Sequence, residues 1–373
     1  MRVLTFLVLL PMAAVLPATR ALAQSLTPTV ITPLATSLNE TSGLLLSGGT
    51  LWTQLDSGNP HRLYQVDTIT GVVLREVELA NAANADWEDI DTDGDQVFVG
   101  DVGNNAGDRT DLRFYRFPLD SLLDPGVESV LADTIRFAYA DQVDFTSAPN
   151  ATNFDCEAFV AVDDSLFLFT KNWIDGRTVL YALSATPGDH LAERRDTLDT
   201  QGLVTGASRD PLTGAIALVG YTNGLFVPFV WALSDYPGHA FFDGSAVRHA
   251  LTLAFVQMEA IAWRGPGSVF LSNEQSPFSA ARLWQLELDM PTAVAGWAAA
   301  PMRVFPNPTT GILHMVDVPA GTVVLLFDAT GRPVAALRAA PSELDLSSLS
   351  DGIYQLVIQG SVRVDRMAVL VAR

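Results

Sequence analysis

Between residues 40 and 289 the chain repeats a pattern of short apolar runs separated by polar turns. Each unit begins with a polar residue, and an apolar run follows nine to eleven positions later. A third run pairs an aromatic residue with an apolar one two positions on, and most units add a fourth, more polar run. Four short strands in a unit of about 40–50 residues are typical of a propeller blade. The five units begin at Ser42, Glu88, Glu157, Thr205 and Glu259.

These units predict an all-β fold, a five-bladed β-propeller over residues 24–289. The interval from the second unit to the third is the longest, so residues 118–150 form an extended loop or, as an alternative, hide a sixth blade. The last unit stops after its third run, near Asp289. We expect the segment from Thr29 to Leu38 to supply the missing outer strand, which would close the ring and cover an open edge.

The first residues predict a secretory signal peptide at positions 1–23. Arg2 precedes an apolar run from Val3 to Leu16, and small residues follow at Ala21 and Ala23. This order of basic, apolar and small-residue regions is typical of a signal peptide. The run is too short for a membrane span.

Charge and cysteine content narrow the classes of function. The formal net charge is −20, and removing the two arginines of the predicted signal peptide leaves −22. This acidity disfavours nucleic acid and anionic membranes as partners and favours cations. Cys156 is the only cysteine, so an internal disulfide is excluded. Flanking acids make it a poor nucleophile, and we expect it to pack as a small apolar residue. We expect a monomer.

A second module follows an Ala/Pro/Gly-rich linker at residues 290–302. Alternating runs with regular turn signals over residues 303–373 predict a small antiparallel β-sandwich. The module resembles the type A sorting domain of the bacterial type IX secretion system. The matching segments are Phe305–Gly311, Asp328–Arg332, Leu344–Ser347 and Asp351–Tyr354. The resemblance implies the type IX machinery as a partner, passage through the periplasm, cleavage of the tail, and a secreted or outer-membrane cell-surface protein.

The repeat also predicts which side chains meet at the propeller axis. The first strand of a blade begins, and the second ends, at the same face, because antiparallel neighbours run in opposite directions. We therefore expect the five unit-starting residues to meet the residues that end the second runs. These are Asp56, Asp101, Lys171, Tyr221 and Glu274.

Six of these ten residues are carboxylates, which raise one another's pKa unless a cation lies among them. Lys171, the only lysine of the chain, is one candidate cation, and Ca²⁺ is another. We predict Glu88, Glu157, Lys171 and Glu259 as catalytic residues, with the three glutamates as possible calcium ligands. The predicted ligand-binding residues are Asp56, Asp101, Tyr221, Asn273 and Glu274. Two alternatives remain: Lys171 only neutralises a neighbouring acid, or the repeated residues serve the blade structure alone.

The body resembles a group of secreted propellers that often carry the same tail. The resemblance rests on Asp56–Asn59, Asp86–Ile90, Gly100–Asn105, Thr170–Trp173 and Ser272–Glu274, and it implies the fold but no particular reaction. More distantly, the body is similar to phytase-like and gluconolactonase-like propellers, which implies calcium at the axial mouth.

Three functions remain open at this point. The first is a surface or secreted module that binds a small molecule or a glycan. The second is a calcium-dependent hydrolase of phosphoesters or lactones, with Glu88, Glu157 or Glu259 as general base. The third is a glycosidase that uses paired axial carboxylates.

Overall fold

Short strands make up most of the chain. The computed structural model describes residues 25–265, 267–288, 303–316, 323–328, 333–338, 343–359 and 364–373. The predicted signal peptide and the predicted linker at 290–302 lie outside these ranges. None of the described helices is long and apolar enough to cross a membrane.

Five antiparallel sheets, here called blades 1 to 5, follow one another along the chain. Blade 1 consists of Thr41–Ser47, Thr50–Leu55, Arg62–Val66 and Val73–Leu79. Blade 2 consists of Trp87–Thr92, Gln96–Asp101, Arg113–Pro118 and Asp133–Tyr139. Blade 3 consists of Cys156–Val162, Ser165–Thr170, Thr178–Ser184 and Gly188–Leu198. Blade 4 consists of Leu203–Arg209, Ile216–Tyr221, Pro228–Ser234 and Ser245–Ala250. Blade 5 consists of Met258–Gly265, Ser268–Asn273, Arg282–Glu287 and the N-terminal strand Thr29–Pro33.

The N-terminal strand closes the ring. It pairs antiparallel with Arg282–Glu287, and Val30 lies opposite Trp284. The first strand of each blade packs against the first strand of the next, and that of blade 5 packs against that of blade 1. The fold is therefore a five-bladed β-propeller, as predicted. The predicted outer strand is shorter than expected, because Thr36–Leu38 forms a 3-10 helix.

The long interval between blades 2 and 3 contains structure rather than an extended loop throughout. A short helix, Leu119–Leu123, buries Leu119 and Leu122 against the core between blades 1 and 2. The strand Ser129–Val130 then pairs parallel with the outer strand of blade 1. The outer strands of blades 2 and 3 also pair in parallel. These contacts join three blades at their outer edges, and the described residues contain no sixth blade.

Buried aspartates join the blades near the axis. Asp89 Oδ2 accepts hydrogen bonds from the N–H groups of Phe159 in blade 3 and Ala207 in blade 4, both at 3.2 Å. Its Oδ1 accepts the N–H of Ile90 at 2.9 Å. Asp91 Oδ2 accepts the N–H of Ala161 at 2.8 Å. A carboxylate with several N–H donors tolerates burial that would otherwise be costly.

The C-terminal module is a small sandwich, as predicted. One sheet contains Arg303–Phe305, Ile312–Val316 and Glu343–Asp345. The other contains Pro333–Arg338, Val323–Phe327, Gly352–Gln359 and Val364–Val371. Side chains from both sheets, among them Leu313, Leu326 and Leu356, form one buried core. Most of the predicted Asp328–Arg332 turn lies outside the described residues.

We predict that Asp89→Ala lowers the free energy of unfolding by several kcal/mol. Each buried N–H left without an acceptor costs about 1–3 kcal/mol, and Asp89 serves three of them. Urea denaturation of the purified protein measures the change. Asp93→Ala is the matched control, since Asp93 also accepts two N–H bonds but in an exposed turn. Equal stability losses in the two variants would contradict the role given to Asp89.

Candidate functional site

A cavity of about 190 Å³ lies where the first strands begin and the second strands end. Seven of the nine predicted site residues line it. They are Asp56, Glu88, Glu157, Lys171, Tyr221, Glu259 and Glu274. The cavity is also lined by Thr41, Ser42, Asn105, Asn150, Trp173 and Gln257.

A register shift in every blade accompanies this convergence. In blades 3, 4 and 5 the shift between the first and second strands lies at Glu157, Thr205 and Glu259, respectively. In blades 1 and 2 it spans Ser42 and Glu88. An irregularity of this kind re-aims a side chain at the end of a ladder. We infer that in blades 2, 3 and 5 these shifts direct the first polar residue, a glutamate, toward the axis.

Two of the five unit-starting residues serve the connections between blades. Ser42 Oγ donates to the carbonyl oxygen of Glu88 at 2.5 Å. Thr205 Oγ1 donates to the carbonyl oxygen of Met258 at 2.6 Å. In both cases the hydroxyl joins one blade to the next. The structural alternative weighed for the repeat therefore fits the hydroxyl residues, and the three glutamates need another explanation.

Lys171 lies among the acids and is itself buried. Its Nζ is 2.8 Å from Glu157 Oε2. The ammonium also lies 4.9 Å from the ring centroid of Trp173 and 5.6 Å from that of Tyr221. Burial acts to lower the pKa of Lys171, but the negative charges around it, Glu157 first, raise that pKa well above its ordinary value. Lys171 is therefore a fixed cation at neutral pH.

Glu88 differs from Glu157 because it has no such partner. It is 5% exposed, and no donor in the described ranges hydrogen-bonds to its carboxylate. Burial, followed by the charges of Glu157 and Asp56, raises its pKa well above the ordinary value. A cation or a hydrogen-bond donor in the cavity would offset the cost of burying Glu88.

One corner of the site offers a cluster of oxygen ligands. Carboxylate oxygens of Asp56, Asp86 and Glu88 lie within 4.8 Å of one another. Gly103 permits this approach, because a Cβ there would lie 2.1 Å from Glu88 Oε1 and 2.4 Å from Asp86 Oδ2. Asn105 Oδ1, which is buried and has no partner among the described residues, belongs to the same cavity. Ca²⁺ takes six to eight oxygen ligands in flexible geometry, so this donor set fits calcium.

This carboxylate corner shares only Glu88 with the three glutamates predicted as metal ligands. Glu157 is paired with Lys171, and Glu259 is not part of the carboxylate cluster. Asp86 was missed, although it precedes Glu88 in the Asp86–Ile90 segment. Burial, followed by the neighbouring Asp56 and Asp155, raises the pKa of Asp86 to about 7.

Asp101 and Asn273, both predicted to bind ligand, are not among the residues that line the cavity. Asp101 Oδ1 accepts the N–H of Asp86 and an N–H of Arg109, both at 3.0 Å. Asn273 Oδ1 accepts the indole N–H of Trp284 at 2.7 Å, and its amide donates to Ala280 O. The structure does not bring these two side chains into the cavity, and they hold loops and strands together instead.

Other lining residues were also missed, and they come from loops. Asn105 and Asn150 are joined by a backbone hydrogen bond of 2.8 Å. Asn150 has a φ of 56°, which side-chain-bearing residues seldom adopt. Gln257 directly precedes blade 5, and Trp173 follows Lys171 closely. Of these residues, only Asn105 and Trp173 could have been found from the sequence. Both belong to the segments on which the resemblance to secreted propellers rests.

A larger cavity, of about 600 Å³, lies between the loop at residues 140–154 and blade 3. Its lining includes both charges, with Arg177 and Arg194 beside three aspartates. The hydroxyl of Tyr181 donates to Asp141 there at 3.0 Å. None of the nine predicted site residues lines this cavity, so the candidate site is the axial one.

Comparison with known families decides the role of the tail. Residues 303–369 match the secretion system C-terminal sorting domain. This domain marks proteins that the type IX system secretes or attaches to the cell surface. The protein is therefore exported by that system and is secreted or cell-surface attached.

No curated protein matches the chain. Among solved structures, PorZ, a surface component of the type IX secretion system of Porphyromonas gingivalis, has 14% identity and a TM-score of 0.33, over 89% of this chain and 45% of PorZ. The exo-β-1,3-galactanase of Phanerochaete chrysosporium has 10% identity and a TM-score of 0.43, over 93% and 94% of the two chains. BamB of Moraxella catarrhalis has 12% identity and a TM-score of 0.24, over 94% and 93%. TM-scores this low do not indicate a function. The similarity to phytase-like and gluconolactonase-like propellers stays a prediction.

We predict that Asp86→Asn and Glu274→Gln gain stability relative to the unaltered protein as the pH rises. Burial comes first among the causes that raise both pKa values to about 7, from 3.8 and 4.5. From about pH 4 to about pH 7 the native acids hold protons that the unfolded chain has lost, so folding weakens as the pH rises. Melting temperatures across this range test it, with Asp93→Asn as control. If the melting temperatures of both variants, the control and the unaltered protein changed with pH in the same way, the prediction would be contradicted.

Proposed function

We propose that the protein is an exported propeller that binds a ligand in its axial cavity. The observation that carries this proposal is the buried carboxylate of Glu88, which faces the cavity without a hydrogen-bond donor. A site that serves only to stabilise the fold would satisfy this group, as the backbone satisfies Asp89. A bound ligand would supply the missing partner.

The charge of the cavity indicates what the ligand brings. Five of the lining residues are acids, and Lys171 is the only lysine or arginine among them. A cation, or a ligand rich in hydrogen-bond donors, would offset the excess. The volume of about 190 Å³ holds roughly six waters at their share of the liquid, about 30 Å³ each. The cavity therefore suits an ion, a small molecule or one unit of a longer ligand such as a glycan.

Calcium is the cation that we propose for the corner formed by Asp56, Asp86 and Glu88. Three carboxylates supply hard oxygen donors, and the unpartnered Asn105 oxygen lines the same cavity as Asp56 and Glu88. Bound there, calcium would neutralise the carboxylates whose pKa values burial raises. Lys171 would keep its separate role as the partner of Glu157.

A calcium-dependent hydrolase of phosphoesters or lactones is the second candidate function. The observation that favours it is a pKa of about 7 at Glu274, because a group that titrates near neutral pH suits general acid–base catalysis. Glu88, Glu157 and Glu259 remain the acids first predicted for this role. Calcium would supply polarisation of a substrate oxygen.

We predict that calcium raises the melting temperature of the purified protein above its value in chelator. A ligand that binds only the native state stabilises it, by about 2.7 kcal/mol at one hundred times its dissociation constant. Asp86→Asn should remove most of this shift, whereas Asp93→Asn, in an exposed turn, should keep it. Identical melting curves with calcium and with chelator would exclude calcium from the site.

A hydrolase assay separates the two candidate functions. With calcium present, phosphomonoester, phosphodiester and lactone substrates should remain unhydrolysed if the protein only binds. Turnover that Glu88→Gln abolishes, while its melting temperature stays within a few degrees, would favour the hydrolase. Lys171→Ala serves as a second variant, since it removes the cation that pairs with Glu157.

A further inference from the structure

Three large apolar side chains are exposed on loops beside the axial cavity. Leu225, Phe255 and Phe278 are 61%, 45% and 75% exposed, and we call them the rim patch. Leu225 follows the second strand of blade 4, and Phe255 precedes the first strand of blade 5. Phe278 follows the second strand of blade 5. All three loops emerge at the face that carries the cavity. Adjacent exposed apolar side chains next to a polar site are typical of an interaction surface.

The rim patch is held together by direct contacts. The rings of Phe255 and Phe278 lie 5.5 Å apart. The N–H of Phe255 donates to the carbonyl oxygen of Leu225 at 3.1 Å. Phe255 has a φ of 59° and Phe226 a φ of 47°, a region that bulky side chains rarely occupy. The loops thus adopt a costly backbone conformation and still expose their apolar side chains.

The rim patch is continuous with the acidic side of the cavity. Gln257, which lines the cavity, follows Phe255 by two residues, a stretch of chain that spans at most about 7 Å. Tyr221, which also lines it, lies 5.4 Å from the ring of Phe226, beside Leu225. Glu274, four residues before Phe278, is a third lining residue. Glu274 and Glu259 therefore each lie four positions along the chain from an aromatic residue of the rim patch, Phe278 and Phe255, respectively.

Two acids on this side of the cavity belong neither to the ion pair with Lys171 nor to the proposed calcium corner. Glu157 is paired with Lys171, and the proposed calcium corner uses Asp56, Asp86 and Glu88. Glu259 and Glu274, both from blade 5, form no ion pair within the described ranges, and the charge of Lys171 only partly offsets the burial that raises their pKa values. They lie on the side of the cavity from which the rim patch extends. Their charge selects a cationic group, and the patch selects an apolar group close to it.

We propose that the rim patch and the Glu259–Glu274 side of the cavity form one docking surface for a polypeptide segment. The segment presents a lysine or arginine to the acids and an aromatic or aliphatic side chain to Phe278. Four residues of chain span at most about 14 Å, a distance that an extended segment of five residues covers. A neutral glycan supplies no cation, and an anionic membrane is repelled by a chain of net charge −20. This inference rests on the proposed ligand-binding role of the cavity.

Binding of arrayed, labelled pentapeptides to the full chain tests this proposal. Each peptide contains one phenylalanine and one lysine, and matched arrays replace phenylalanine by serine or lysine by acetyl-lysine. We expect both replacements to weaken binding at least tenfold. Phe278→Ser and Glu259→Gln should weaken binding of the best peptide by a similar factor. Ile69→Ser, which alters an 81% exposed side chain on the opposite face, should leave it unchanged.

Three outcomes would overturn the inference. Equal affinity for lysine and acetyl-lysine peptides would show that the acids select no cation. A Phe278→Ser variant that binds like the unaltered protein would exclude the rim patch. No peptide binding at all would exclude a polypeptide ligand. Calcium-dependent melting of the same samples distinguishes these failures from failure of the proposed function, because calcium can bind its corner without any peptide.

Discussion

Closure of the ring by the N-terminal strand is the constraint on which the rest of the structure depends. Blade 5 has only three strands from its own part of the chain, and Thr29–Pro33 completes it by pairing with Arg282–Glu287. Without this pairing the outer edge of blade 5 would stay open, and the ring would be held by packing alone at that point. With it, the five first strands form a closed circle. Acids from separate blades can then meet around one axis.

The acids that meet at the axis are buried and repel one another, and the protein offsets this cost only in part. Burial raises the pKa of Glu88, Glu157 and Glu259 well above the ordinary value. Lys171 offsets one of these charges directly, at 2.8 Å from Glu157. A single ammonium cannot pair with every acid in the cavity, so the remaining charge lowers stability unless protons or a bound cation offset it. This excess is the physical basis of both proposals made for the site.

The sequence predicted the fold well because the strand pattern repeats, and each repeat carries the same information. Topology alone placed Glu157 beside Lys171, since the first strand begins where the second ends. It does not show that Asp101 turns away from the cavity, because the direction of a strand-ending side chain depends on local hydrogen bonds. Arg109 bonds to Asp101, and Trp284 bonds to Asn273, and neither Asp101 nor Asn273 lines the cavity. Asn150 and Gln257 were beyond prediction, since non-repeating loops bring them to the cavity.

Two neighbouring buried acids of this propeller differ in whether the fold supplies their hydrogen-bond partners. Glu88 and Asp89 follow one another on the first strand of blade 2, both are buried, and burial raises both pKa values. Asp89 accepts N–H bonds from three backbone groups, so the cost of its burial is offset within the fold. Glu88 accepts none from the described residues and faces the cavity instead. If the fold alone determined these positions, Glu88 would be satisfied as Asp89 is. This difference is the observation on which the proposed ligand-binding role of the cavity rests.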